Sequence, residues 1–271
     1  MASIEKYTDN AVTYELKHNT REHSHPPKNI DIDADRSSQN YFLTPESHGR
    51  TARESKTYYN QRLKEVYKYN RADVKTACQW VITAPADLNP KDQQRFFEET
   101  YNFLNSLYGE KNCIQCVVHC DEGVKNKAGE IIAGRNHLHY MFLPVVKNNK
   151  FMKVNKNGNL TAASKFEEKV CADDIIKPKH LQSFHPNFQK WLDDKGIKCT
   201  VYSGITGGKN KSVSELKELT RAKEHIKELE AENKQLKEKV KDLENKLTKN
   251  HVNSNEQWGS FNWGEENKIT W

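Results

Sequence analysis

The chain has 271 residues, 35% of them hydrophobic and 30% charged, with a formal net charge of +6. That is enough chain for one or two domains with a real core, but too polar a composition to be packed throughout. No apolar run reaches the roughly 18–20 residues of a membrane span, and the first ten residues lack the apolar core of a signal peptide, so the expected compartment is the cytoplasm. Residues 211–249 carry a net +2 and residues 250–271 a net −2, which leaves +6 on the first 210 residues, a balance that suits an anionic partner such as nucleic acid.

In chain order, the polar cluster from Lys17-His18-Asn19-Thr20-Arg21 to Arg36 and Gln39-Asn40-Tyr41 reads by composition as a solvated loop. Ala52 to Asn70 has helical spacing, and CQWVIT (78–83) reads as a strand. Asn89-Pro90 places an N-cap before a proline at the first helical position, so 90–108 is predicted helical up to Gly109. CIQCVVH (113–119) and HLHYMFLPVV (137–146) read as two strands of an antiparallel hairpin. Pro178 to Lys195 is predicted helical and stopped by Gly196, and IKCTVYS (197–203) as a last strand. The fold expected for residues 1–204 is α+β, a mostly antiparallel sheet with helices on one face.

Residues 205–211 form a glycine-containing linker, and Ser212 opens a capping box for a long helix over 212–249. One seam holds Leu219, Ile226, Asn233, Val240 and Leu247, and the other Ala222, Leu229, Leu236 and Leu243. Leucine at d, β-branched residues at a and a single a-position asparagine predict a parallel two-stranded coiled coil, hence a homodimer. Its flanking pairs, Glu218 with Lys223, Glu232 with Lys237 and Lys239 with Glu244, are all opposite in charge. Residues 250–271 are a polar tail containing three tryptophans.

Cys113 and Cys116 have the spacing of a zinc knuckle, but no second pair follows, and their alternation in a β-type run reads as packing of small hydrophobic groups. The histidines carry more chemistry. On a strand His137 and His139 face the same way, and a hairpin brings His119 alongside. Three neutral imidazoles make a divalent-metal site with open positions. Asp121 and Glu122 follow His119 directly and are placed to orient a ligand ring or to act on a proton.

Together these segments resemble the Mob/Pre family of plasmid mobilisation and recombination proteins, the MobV-type relaxases. The first motif is His18-Asn19-Thr20-Arg21 closing at Asn40-Tyr41. The second is His119-Cys120-Asp121-Glu122, then His137-Leu138-His139 and an apolar strand ending at Leu143-Pro144. The fourteen-residue segment 123–136 is longer than the family pattern, Asn136 stands where proline is expected, and the chain is short for the family.

The resemblance implies an HUH-type endonuclease that nicks one strand of plasmid DNA at an origin of transfer and stays joined to the 5′ phosphate. His119, His137 and His139 would hold a manganese or magnesium ion, with Asp121 behind them. His18 would be the nucleophile, with Tyr41 and Tyr14 as rivals. Glu122 would deprotonate His18 or complete the metal shell, Arg21 would clamp the phosphate, and Asn19, Arg36 and Asn40 would contact DNA. Two other readings stay open: an HUH replication initiator using a helical tyrosine such as Tyr58 or Tyr59, and a non-catalytic dimeric DNA-binding protein.

Overall fold

The structure, a computed structural model, describes residues 2–22, 31–125, 131–202, 204 and 213–258. The chain divides into two units, residues 1–208 and 209–271. In the first unit β1 (Ala2–Thr8) leads into α1 (Asp9–Asn19), then β2 (Tyr41–Phe42), α2 (Ala52–Lys64), β3 (Lys75–Thr83), α3 (Gln93–Tyr108) and β4 (Cys113–His119). A small antiparallel pair, β5 (Val124–Lys125) and β6 (Ile131–Ala133), precedes β7 (His137–Phe142). A second such pair, β8 (Val145–Lys147) and β9 (Glu168–Val170), is followed by α4 (Ala172–Ile175) and α5 (Pro178–Asp194). Strands β1, β3, β7, β4 and β2 form one sheet in that order, every neighbouring pair antiparallel.

Alternation along the strands divides the side chains between two cores, because successive residues point to opposite faces. Cys78, Trp80, Ile82, Cys116, Val118, Leu138, Tyr140 and Phe142 pack under α3 and α5 with Phe96, Phe103, Phe184 and Phe188. Ala77, Ile114 and Met141 pack under α1 and α2 with Val12, Leu16 and Tyr59. The expected single helical layer is therefore corrected: helices cover both faces. Cys113 and Cys116 lie buried in the first core as free thiols, and burial pushes both thiols up.

Other departures have local causes. The segment with Lys17 to Arg21 is the end of α1 and its cap rather than a loop. The helix from Ala52 stops at Lys64, since Tyr67 bonds Glu168 and bridges to Lys169 beside β9. The strand expected over 137–146 breaks at Leu143-Pro144, and Val145–Lys147 pairs with β9 instead. Residues 197–202 form no strand. The Gln189 side chain accepts from the backbone N–H groups of Val201 and Tyr202 and donates to the Cys199 carbonyl, taking the partners a ladder would need. Gly196, at φ 71°, closes α5 with the paired bonds of a Schellman motif.

The second unit is one helix, α6 (Val213–Trp258), which continues past residue 249 into the segment read as a tail. Its seam residues Leu219, Ile226, Leu229, Leu236, Val240, Leu243 and Leu247 are exposed. The linker 205–211, the Ser212 cap and residues 259–271 lie outside the described residues.

Thr51 caps α2 in a reciprocal capping box with Glu54. Thr51→Ala should cost about 1 kcal/mol of unfolding free energy in a urea titration, the usual value of a lost N-cap.

Candidate metal and nucleophile site

The register between β4 and β7 builds the centre. His119 stands directly opposite His137, and Val117 opposite His139. All four point to the α1 side of the sheet, where His139, on the central strand, is flanked by Val117 and by Val81 of β3. Ring centroids are 4.5 Å apart for His119 and His139, 5.0 Å for His137 and His139, and 5.2 Å for His119 and His137. Helix α1 brings His18 over them, 5.4 Å from His139 and 5.8 Å from His119. The three predicted ligand histidines and the predicted nucleophile thus converge.

Backbone carbonyls set two tautomers. His119 Nε2 lies 2.8 Å from the Asn19 carbonyl, and His137 Nδ1 lies 3.3 Å from that of Arg135. A carbonyl only accepts, so each of these nitrogens carries the proton, leaving a lone pair on His119 Nδ1 and His137 Nε2. Both of those atoms sit 3.9 Å from Glu122 Oε1. Neither ring nitrogen of His139, nor Nδ1 of His119, has a hydrogen-bond partner, although both residues are buried.

A buried unpaired polar atom costs about 1–3 kcal/mol, so such a cluster is built to receive something. Its neutral imidazole nitrogens and adjoining carboxylate fit a divalent cation of borderline softness. Two overlapping triads have all their ligand atoms within 4.8 Å of one another: His18, His119 and His139, and His119, Glu122 and His137. His119 belongs to both, and the predicted trio is divided between them.

Arg21 locks the motifs together. It ends α1 in a Schellman motif, with the Glu22 amide bonding the Lys17 carbonyl and the Arg21 amide that of His18. Arg21 therefore occupies the left-handed position, at φ 60°, normally given to glycine. Its guanidinium donates to both Asp121 oxygens, at 3.0 and 2.7 Å, and to Glu122 at 2.8 Å. Asp121 is fully buried and also accepts from Ser37 and Asn40.

The other candidate side chains each have partners within the domain. Arg21 holds carboxylates rather than standing open for a phosphate. Asp121 accepts from the Arg21 guanidinium. Asn19 is buried, its side-chain amide donates to Gln79, and its backbone carbonyl accepts from His119. Arg36 donates to the Cys120 carbonyl, and the Asn40 side chain bridges the Cys120 amide and Asp121, so both brace the strand end. Tyr41 lies opposite Val118 and packs in the α3/α5 core, on the face away from the histidines. Tyr14 is exposed on α1, one turn before His18. Tyr59 is buried and bonds Thr76, and Tyr58 stacks on His48 and donates to Lys111, which removes support for a helical tyrosine nucleophile at this pair. Ser37 and Gln79 were missed; short polar side chains in a turn and in a strand carry no pattern that marks them.

Charge follows the geometry. Burial first, then Arg21 and His137, lower His119 to about 3, while burial lowers His137 and holds His139 well below the usual histidine range. Burial opposes ionisation of Glu122, but His137, Arg21 and His119 outweigh it and bring the carboxyl to about 2. Burial likewise works against Asp121, yet Arg21, Ser37 and Asn40 hold it well below the carboxylate range.

An antiparallel sheet whose central strands aim three histidines at a fourth on a covering helix defines an α+β fold with a buried histidine centre. The chain belongs to the plasmid recombination enzyme family (Mob_Pre), whose profile matches residues 1–218. A plasmid recombination enzyme of Bacillus thuringiensis is 26% identical over 242 residues, covering 87% of this chain and 46% of that protein. Plasmid recombination enzyme type 1 of Staphylococcus aureus is 24% identical over 268 residues, covering 92% and 57%. The chain thus spans about half the length of these relatives. The MobM relaxase domain, in an Mn-bound crystal structure with plasmid pMV158 oriT DNA, aligns with a TM-score of 0.57 at 24% identity, covering 81% of this chain and 97% of that domain. That likeness establishes the fold. No described helix is long and apolar enough to cross a membrane.

The histidine shifts set a pH dependence for the metal-free protein. The unfolded chain protonates these rings near pH 6.5, whereas the folded chain keeps them neutral to lower pH. The unfolded state therefore binds more protons, and the stability present above pH 6.5 is lost as pH falls. Urea titrations at pH 7, 6 and 5 should show a decline of up to about 1.4 kcal/mol per pH unit for each such histidine. His139→Leu should flatten it.

Proposed function

We propose that this chain is a metal-dependent DNA strand transferase, a relaxase that nicks one strand of plasmid DNA for mobilisation or recombination through a covalent protein–DNA intermediate. The observation that carries this reading is the convergence of His18, His119, His137 and His139, with buried ring nitrogens unpartnered, in a chain of this family. Residues 1–204 form the catalytic domain.

His119, His137 and His139 would hold a manganese or magnesium ion, with the ionised Glu122 supplying negative charge beside them. Once bound, the ion polarises the scissile phosphate and offsets its developing charge. The Mn-bound structure of the MobM relaxase domain supports manganese. The Arg21 guanidinium holds the Glu122 carboxylate ionised, which favours Glu122 as a charge partner over a base.

His18 is half-buried at the rim and accessible to a strand. A neutral ring nitrogen of His18 attacks phosphorus, the P–N bond forms, the bond to the 3′ oxygen breaks, and that oxygen leaves as a hydroxyl after taking a proton from water, while the phosphorylated ring releases the proton of its other nitrogen to solvent. The 5′ phosphate stays on the protein, and reversal rejoins the strand. Arg21, by fixing the end of α1 to Asp121 and Glu122, positions His18 over the other rings.

Assembly follows from α6. Its exposed leucine seam with Asn233 and the three complementary charge pairs support a parallel homodimer, placing two catalytic domains on one coil.

His137→Ala and His139→Ala should each reduce Mn-dependent nicking of supercoiled plasmid by more than about 100-fold, since loss of mere supporting partners already costs 10–100-fold. Normal nicking by the double variant would refute the metal site, and absence of nicking by the unaltered chain would favour a non-catalytic DNA-binding protein. The adduct should be acid-labile, as a phosphoramidate is, and map to His18; an acid-stable adduct on Tyr14 would overturn that assignment. In sedimentation the full chain should run as a dimer and the L229E/L236E variant as a monomer.

A further inference from the structure

The histidine centre offers a cation more than one set of ligands. His119, Glu122 and His137 include a carboxylate, whereas His18, His119 and His139 are imidazoles alone and include the nucleophile. In each set the ligand atoms lie within 4.8 Å of one another. Of the two, only the all-imidazole set contains His139, whose two buried ring nitrogens both lack a hydrogen-bond partner. The His18 ring stands 5.4 Å from that of His139 and 5.8 Å from that of His119, centroid to centroid.

His119 makes the alternatives exclusive. Its Nε2 is committed to the Asn19 carbonyl at 2.8 Å, so Nδ1 carries the one lone pair this ring can give a metal. A lone pair serves one ion at a time. The catalytic ion, placed on His119, His137 and His139 beside Glu122, and an ion held by His18, His119 and His139 therefore cannot be bound together. Passing from the first to the second gives up His137 and the neighbourhood of a carboxylate for a fully nitrogenous set.

That exchange discriminates between metals. Carboxylate and water ligands suit magnesium and manganese, imidazole suits zinc, and a nitrogen site of given geometry binds zinc more tightly than manganese. Structural and catalytic zinc is four-coordinate, so three imidazoles and one water complete its shell. His119 and His139 are buried on paired strands, whereas His18 is half-buried at the end of α1, so closing the set falls to the His18 side chain.

We propose that His18, His119 and His139 form an alternative, inhibitory site for zinc or a similar nitrogen-seeking divalent ion. The consequence for the reaction rests on the relaxase reading. A neutral imidazole has one lone pair on nitrogen, and with that pair on the ion His18 cannot attack phosphorus. The same ion denies His119 to manganese. One bound zinc thus withholds the nucleophile and the catalytic metal together, and its removal returns both.

The test is metal binding by the full chain, zinc by competition with a chromophoric chelator and manganese by calorimetry. H18A should weaken zinc binding by at least about tenfold, the least expected when even a supporting partner of a metal site is lost, and leave manganese binding unchanged. H137A should do the reverse. Misfolding would lower both affinities in either variant, so the crossed pattern identifies the ligands. Diethyl pyrocarbonate labelling with peptide mapping should mark His18 in the manganese-loaded chain and spare it in the zinc-loaded chain. Unchanged zinc affinity in H18A, or equal labelling of His18 in the two forms, would overturn the proposal. Zinc should also suppress manganese-dependent nicking of supercoiled plasmid, with recovery after chelation and return of manganese. The binding readouts need no nicking. A chain with the crossed pattern that never nicks would refute the relaxase reading and leave the zinc site standing, whereas a chain that nicks with manganese but labels at His18 under zinc would do the opposite.

Discussion

The arrangement of the whole centre depends on the ion pair between Arg21 and Asp121. Asp121 is fully buried at the end of β4, and Arg21 caps the helix that carries His18. Breaking such a pair leaves a buried charge without its partner, at a cost of about 3–5 kcal/mol. The pair is therefore a strong constraint on where α1 ends relative to β4. Ser37 and Asn40 complete the carboxylate's shell and draw in the segment before β2. Three stretches far apart in sequence meet at one carboxylate, and the ring of His18 can be placed over the sheet only because they do.

Around that fixed point the polar groups divide by charge state. The imidazoles are kept neutral by burial and by the neighbouring guanidinium, while the carboxylates are kept ionised by the same guanidinium. Lone pairs on nitrogen thus face a persistent negative charge on Glu122. Reversing either condition would weaken the donor set, because a protonated ring has no free lone pair on nitrogen and a neutral carboxyl has lost its charge. The left-handed backbone of Arg21 belongs to the same device: glycine would end the helix at less strain but would bring no guanidinium.

How much of this was legible in the sequence depends on the range of the interaction. The strands 78–83 and 113–119, the helices from Pro90 and Pro178 and the convergence of His119, His137 and His139 were readable, because period-two alternation and proline or glycine punctuation are local signals. The second helical layer was not. Helix α1 is short and polar, and only the alternate faces of β3 and β7, seen as a sheet, require a cover on both sides. Residues 197–202 had strand composition, but one glutamine on α5 took over their backbone groups, a tertiary override no propensity records. The bracing contacts of Asn19, Arg36 and Asn40 were not legible for a related reason. A polar side chain that recognises phosphate is equally able to brace a backbone, and only three-dimensional neighbours distinguish the two. The family motif located those residues correctly without stating what each one touches.

The register of the central strands also channels how such a chain can drift. One residue inserted within β4 or β7 would exchange the two faces from that point on, turning histidines into an aromatic core and Leu138 or Tyr140 toward the α1 side. Between Glu122 and His137 no such penalty applies, since a doubling of loop length costs only about 0.6 kcal/mol. That connection here carries the extra pair β5 and β6, a separate two-stranded sheet that leaves the pairing of β4 with β7 intact. Insertions and deletions should therefore accumulate at the hairpin tip while strand lengths stay fixed, so that homologues come to differ most in a segment a few residues from their least changeable side chains.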